Sequence, residues 1–168
     1  DRTKAFPKTE LAEMGKLGLM GMVVPESYGG AGADYVSMAL AIAEIAAADA
    51  GVSTIMSVQN SLICSALLNF GTEAQKQQFL IPCARGEMIG AFALSEPQAG
   101  SDAAAIRCQA KKEGTYYILN GTKQFITSGK QGDIALVFAV TDPKAGKKGI
   151  TAFIVPTNSK GYVVARVE

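Results

Sequence analysis

Apolar residues fall three and four positions apart through the first half of the chain and gather into short β-branched and aromatic runs through the second. Leu11, Met14 and Leu17 predict a short first helix. Tyr35, Met38, Ala39, Ile42, Ala43, Ile45 and Ala46 predict a longer one, with Asp34 placed to cap its N-terminus. A third stretch puts Ile55, Val58, Leu62, Ile63, Ala66, Leu67 and Phe70 on one broad face and ends at Gly71, a residue suited to a left-handed C-cap. Thr72-Glu73-Ala74-Gln75 then has the spacing of a capping box and opens a short helix that Pro82 ends or interrupts.

Beyond Gly86 the pattern is that of strands: Met88 to Leu94, Ile106 to Lys112, Thr115 to Asn120, Thr122 to Ile126, Ile134 to Val140, Ile150 to Val155 and Tyr162 to Val167. Asn120-Gly121 lies between two of these runs and predicts a hairpin, because a type I′ turn needs positive φ at both central residues. The expected fold is therefore α+β: an all-α part over residues 1–86, followed by a β-barrel or sandwich-like part over residues 87–168. Each half is small for an independent core, and the last run stops at Glu168 without a closing partner, as in a truncated piece of a larger protein.

Composition narrows the chemistry. The chain has 168 residues, 48% of them apolar, with 16 Lys+Arg against 15 Asp+Glu. A net charge of +1 gives no field for steering towards nucleic acid or acidic membranes. The absence of histidine removes every mechanism that needs an imidazole base or metal ligand. Cys64, Cys83 and Cys108 are an odd number at wide spacing and read as reduced thiols of an intracellular protein. The charged start, Asp1-Arg2-Thr3-Lys4, lacks a signal-peptide core, and no run approaches the roughly 20 apolar residues of a membrane span.

Several glycine motifs carry no chemistry. Gly29-Gly30-Ala31-Gly32 does not satisfy a dinucleotide fingerprint, and Gly146-Lys147-Lys148 lacks the upstream glycine and the Ser/Thr of a P-loop. What remains is Phe92-Ala93-Leu94-Ser95-Glu96-Pro97-Gln98-Ala99-Gly100-Ser101-Asp102, where small residues let backbone N–H groups approach an anion and two hydroxyls add donors. An ordinary strand-ending turn would explain it equally well on its own. Phe125-Ile126-Thr127 adds a ring face with a hydroxyl two residues on. The two segments together propose a flat cofactor with a diphosphate.

At these residues the sequence resembles the acyl-CoA dehydrogenase family, flavoenzymes that introduce a trans double bond between the α and β carbons of an acyl-CoA thioester. The resemblance runs through Val24-Pro25-Glu26-Ser27-Tyr28-Gly29-Gly30, Phe70-Gly71-Thr72-Glu73-Ala74-Gln75-Lys76, Ala93-Leu94-Ser95-Glu96-Pro97, Ala99-Gly100-Ser101-Asp102, Asn120-Gly121-Thr122-Lys123 and Phe125-Ile126-Thr127. Met56-Ser57-Val58 and Phe92 to Pro97 look most like the short-chain, butyryl-type branch. The resemblance implies the family's N-terminal helical domain and middle β domain, with no counterpart of its C-terminal helical domain after Glu168.

It further implies FAD held by Phe92, Leu94, Ser95, Gly100 and Ser101 and by Phe125, Ile126 and Thr127, with Leu94 and Ser95 at the pyrimidine side and Thr127 near N5. Ser101 and Thr141 would contact the acyl-CoA. The family mechanism passes the α proton to a glutamate and the β hydride to flavin N5, within fatty-acid or branched-chain oxidation. Electrons leave to electron-transfer flavoprotein. The complete protein would be a homotetramer, in the bacterial cytoplasm or the mitochondrial matrix. No catalytic residue is assigned: the family's glutamate falls in the absent domain, and Glu96 is expected to shape its own turn rather than act as base. The isolated chain would then be silent. Phe125 stands where the family commonly has tryptophan, so docking of the electron acceptor could differ. An acyl-CoA oxidase or nitroalkane-oxidase-like flavoenzyme on the same scaffold, and a non-enzymatic interaction module, are the alternatives.

Overall fold

The computed structural model describes residues 5–167, so the charged N-terminal residues on which the absence of a signal peptide was read lie outside it. Helices precede strands, as the period of the apolar residues dictates. Helix α1 is Lys8–Lys16 and buries Leu11 and Met14, while Leu17 falls just past its end and is exposed. Helix α2 is Tyr35–Ala48, and the Asp34 carboxylate accepts the Ser37 N–H at 2.7 Å, the cap expected from the sequence. Of its residues only Met38 is buried; Tyr35, Val36 and Leu40 stand open.

Helix α3 runs over Ala50–Phe70. Its 21 residues are long and apolar enough to cross a membrane by length and composition, which corrects the expectation that no such segment exists. Its centre is nevertheless tied into the protein. The Gln59 amide donates to Cys83 O (3.0 Å) and Met88 O (2.8 Å) and accepts from Gly90 N (2.9 Å). The neighbouring Asn60 donates to Leu19 O (2.8 Å) and Met56 O (3.0 Å) and accepts from Met22 N (2.6 Å). Both side chains are fully buried, and around them, at Gln59–Cys64, the helix widens into a π segment. A polar pair of this kind belongs in a protein core, where every donor and acceptor finds a partner.

Gly71 ends α3 in extended conformation (φ −72°), not the left-handed cap expected; glycine is needed because a Cβ there would come within 2.5 Å of Leu67 O. Thr72 and Gln75 form the capping box with both reciprocal bonds made. Helix α4, over 73–84, continues through a π segment at Lys76–Leu80 and takes Pro82 into its last turn. Pro82 therefore does not stop the helix, which ends two residues later.

The sheet consists of β1 (Gly90–Ala93), β2 (Gln109–Glu113), β3 (Tyr116–Asn120), β4 (Ile134–Val140) and β5 (Ile150–Pro156). β4 is its spine. β5 runs antiparallel along one side, from Ile134↔Pro156 to Val140↔Ile150, while β1 runs parallel on the other, from Gly90↔Ile134 to Ala93↔Val137. β2 joins β4 through Gln109↔Val140 and pairs with β3. Val24, Ile63, Cys64, Leu67 and Leu80 pack with Ile134 and Leu136, so helices and sheet share one core.

Two expected strands do not form. The β2–β3 hairpin turns at Gly114-Thr115, between the paired Glu113 and Tyr116, with Gly114 at φ +62°. Asn120 remains within β3, and Gly121 is a close-packing residue: a Cβ there would sit 2.7 Å from the Cys108 Cα. Thr122–Ile126 consequently leaves the sheet as a loop. Tyr162–Val167 forms no strand either; Tyr162 anchors its start, with its N–H donating to Ser159 O (3.0 Å), its hydroxyl donating to Gly129 O (2.8 Å) and its ring packed against Ala91, Ala93, Ala135 and Val137.

All three cysteines are free thiols and buried, and burial pushes Cys83 up to about 12 and Cys64 also upward. Native protein should therefore resist iodoacetamide at neutral pH and label at all three positions only in denaturant; rapid labelling of native protein would contradict this packing.

Candidate functional site

β1 and β4 are parallel, so the residues that follow them, Leu94-Ser95 and Thr141, leave the same end of the sheet. Three segments meet at the end of β1. The first is Leu94 to Ala99, where Glu96 and Ala99 exchange both backbone hydrogen bonds across a tight turn (2.9 and 3.0 Å). The second, Arg107-Cys108, closes the loop that carries Gly100 and Ser101. The third runs from Lys123 to Thr127. Gln124 N donates to Ser95 O at 2.9 Å, which brings together the two segments singled out from the sequence.

Glu96 is the node of this junction. Its carboxylate accepts from Arg107 N (2.6 Å), Cys108 N (3.0 Å), Gln98 Nε2 (2.7 Å) and Lys123 Nζ (2.7 Å). The Lys123 ammonium also donates to Leu94 O at 3.0 Å. The side chains are only 3% (Glu96) and 11% (Lys123) exposed. Burial pushes the Glu96 carboxyl up, but the bonds from Lys123, Arg107 N, Gln98 and Cys108 N outweigh it and hold the group down at about 2. A carboxylate so fully engaged is a structural anion with no lone pair to spare for a substrate proton.

The third segment is strained. Phe125 (φ 57°) and Ser128 (φ 60°) both adopt left-handed backbone, which is rare for a bulky residue and here flanks Ile126-Thr127. The strain turns the Phe125 ring outward, 76% exposed, while Ile126 packs against Ala91, Ala93, Ala135 and Val137. Among the described residues the hydroxyls of Ser95, Ser101 and Thr127 make no hydrogen bond to protein. Ser128 Oγ is buried without a partner, and a Cβ at Gly100 would meet nothing within 4 Å. Open space, unused hydroxyls and a displayed ring suit a flat, polar-rimmed ligand such as a flavin nucleotide.

Not every predicted residue joins this cluster. Phe92 lies on the opposite face of β1 from Ala91 and Ala93, its ring 4.9 Å from that of Phe138, and lines an apolar groove of about 400 Å³ between α3 and the sheet. The Thr141 hydroxyl bonds Gly149 O (3.0 Å) and the Thr151 hydroxyl (2.9 Å) within its own hairpin. Lys123 and Ser128 fall within the motifs read from the sequence but were given no role there. Lys123 is paired with a residue 27 positions away, which no local pattern announces, and Ser128 is distinguished by its left-handed backbone and its buried, unpartnered hydroxyl, neither of which its residue type shows.

The sequence profile described as "Acyl-CoA dehydrogenase, N-terminal domain" matches residues 1–87, and that described as "Acyl-CoA dehydrogenase, middle domain" matches residues 91–168. Among curated proteins the chain is 48% identical to an acyl-CoA dehydrogenase of Bacillus subtilis, over all 168 residues and 44% of that protein. It is 45% identical to the mitochondrial short-chain specific acyl-CoA dehydrogenase of Mus musculus, again over its whole length and 41% of that protein. Among solved structures it is similar to a glutaryl-CoA dehydrogenase from Mycobacterium smegmatis in complex with FADH2, with a TM-score of 0.88 at 41% identity, covering 95% of this chain and 40% of the other. The chain thus spans less than half the length of these relatives. A helical half followed by a mixed sheet, a clamped strand end with unused hydroxyls, and both profiles lead to one assignment: the chain belongs to the acyl-CoA dehydrogenase family.

Proposed function

We propose that this chain is the flavin-binding portion of an FAD-dependent dehydrogenase of short acyl-CoA thioesters, with residues 1–86 and 87–168 as parts of its N-terminal and middle domains. The observation that carries this reading is the Ser95–Gln124 backbone bond, which sets two hydroxyl-bearing segments side by side at one strand end. The FADH2 complex of the Mycobacterium relative and the short-chain name of the mouse relative support the cofactor and the chain length.

Bound FAD would supply the two-electron acceptor for a hydride from the β carbon. This chain's residues bind and orient it. Leu94 and Ser95 offer a backbone edge and a hydroxyl at the end of β1, Gly100 leaves room for close approach, and Ser101 offers a hydroxyl to the pyrophosphate or the bound thioester. Phe125 presents its ring, Ile126 anchors the segment to the sheet, and Thr127 presents a donor towards the hydride-accepting edge. Phe92 contributes indirectly, by packing the far face of β1. Thr141, already engaged with Gly149 and Thr151, has the smaller share in holding acyl-CoA. Electron-transfer flavoprotein as acceptor and a homotetrameric assembly are parts of the same proposal for the complete protein.

Ser101→Ala and Thr127→Ala in the complete protein should each weaken FAD binding by about tenfold, the scale of one lost hydrogen bond to a charged or polarised group. Equilibrium titration with FAD reads this directly; wild-type affinity in both variants removes the assignment. The 168-residue chain alone should show no acyl-CoA-dependent flavin reduction. Of the carboxylates within the site's own segments, Glu96 is held by four donors and Asp102 lies exposed at the head of the 103–105 turn, its carboxylate accepting the Ala104 N–H. Turnover by this chain would contradict that.

A further inference from the structure

We propose that the Glu96–Lys123 pair is a positioning device that sets the spacing between the three flavin-facing segments, and hence between Ser95, Ser101 and Thr127. The inference rests on the reading that these hydroxyls face FAD.

The bonds are distributed in a way that stability alone does not require. Lys123 Nζ donates to Leu94 O at 3.0 Å and to Glu96 Oε1 at 2.7 Å, the residues on either side of Ser95. The next residue, Gln124, donates its N–H to Ser95 O at 2.9 Å. Three consecutive residues, 94 to 96, are therefore gripped by two, 123 and 124, and the strained Phe125 follows at once. Thr127 is three residues beyond the grip. Its position relative to Ser95 is set by that short stretch of chain.

The same carboxylate also fixes the loop that carries Ser101. Glu96 stands at the start of the loop and accepts from Arg107 N (2.6 Å) and Cys108 N (3.0 Å) at its end. One anion thus determines how far apart the two ends of residues 96–107 stand, and Gly100 and Ser101 lie between them. The network is shielded from solvent, with Glu96 3% and Lys123 11% exposed, so water cannot readily take the place of a lost partner. A buried ion pair is often no more stabilising than apolar residues of the same volume, so its retention here is better explained by the geometry it imposes. Misplacement of a binding group by about 1 Å is enough to weaken a preorganised site by an order of magnitude or more.

The test uses the complete protein loaded with FAD and four variants: Lys123→Met, Lys123→Arg, the double variant E96Q/K123M, and Gln59→Leu as a destabilised control whose side chain bonds to none of the three segments. FAD affinity and the visible spectrum are recorded at a temperature where circular dichroism shows each variant folded, and thermal stability is measured separately on the apoprotein. Lys123→Met should bind FAD about tenfold or more weakly with a shifted band, and Lys123→Arg should recover most of the affinity. The double variant should regain stability, since no charge is left unpaired, while keeping the weak binding and the shifted band. Gln59→Leu should lose stability but keep wild-type affinity and spectrum. Should Lys123→Met fail to fold, the double variant carries the same comparison. A folded double variant with wild-type affinity and spectrum, or a Gln59→Leu protein that loses flavin as readily, overturns the positioning role. A wild-type complete protein that holds no FAD overturns the flavin reading itself, a separate outcome.

Discussion

Gln59→Leu should cost on the order of 3 kcal/mol of stability, although the two side chains are close in size. The substitution leaves Met88 O without its donor and Gly90 N–H without its acceptor and strips Cys83 O of one of its two donors, the other being Gly86 N, at a side chain with no exposure to solvent. These three groups come from the end of α4, from the chain leading into the sheet and from the first residue of β1. Gln59 is therefore the bolt between the helical and sheet halves, and its removal should loosen one from the other. Denaturant unfolding is the direct check: the midpoint should fall, and should the halves uncouple, the transition should broaden. A loss below about 1 kcal/mol would mean that these groups find other partners.

Lys123→Met should be at least as damaging in the same assay, by about 3–5 kcal/mol, because it strands a buried carboxylate. The acid side of the stability curve offers an independent reading of the same pair. The Glu96 carboxyl sits at about 2 in the folded protein against an ordinary value of 4.5, so the folded state binds this proton less readily than the unfolded chain. Its contribution is fully present above pH 4.5 and disappears as the pH falls from there through about 2. A shift of that size corresponds to about 3 kcal/mol, which E96Q should remove from the pH dependence of unfolding while lowering stability at neutral pH. An E96Q protein that keeps the wild-type acid slope would show that Glu96 is not the group holding it.

Where the sequence was legible, local chemistry decided the outcome. Asp34 caps α2, and Thr72 with Gln75 closes the capping box, because each needs only a partner three residues away. β4 and β5 were readable from their β-branched runs. The hairpin was misplaced because Asn-Gly and Gly-Thr both satisfy a two-residue turn, and tertiary packing chose between them: Cys108 occupies the space beside Gly121, leaving Gly114 free to turn. The helix α3 was legible from Ile55 to Phe70, but its full 21-residue length was not, because Gln59 and Asn60 break the apolar run in sequence yet are fully buried in space. At the site, the residue types picked out the two hydroxyl-bearing segments, and the family resemblance named the flavin they would hold. The Glu96–Lys123 clamp was not legible, because a pairing across 27 residues depends on β1, β2 and the 121–127 loop converging first.

The most direct test of the central claim is an anaerobic titration of the complete, FAD-loaded protein with butyryl-CoA, followed in the visible flavin band and then by admission of air. The proposed dehydrogenase should bleach the band in proportion to added thioester and reoxidise slowly in air, releasing its electrons readily only to an electron-transfer flavoprotein. A colourless protein, or a flavin band indifferent to acyl-CoA, would contradict the account, and rapid reoxidation by oxygen would point instead to an acyl-CoA oxidase on the same scaffold.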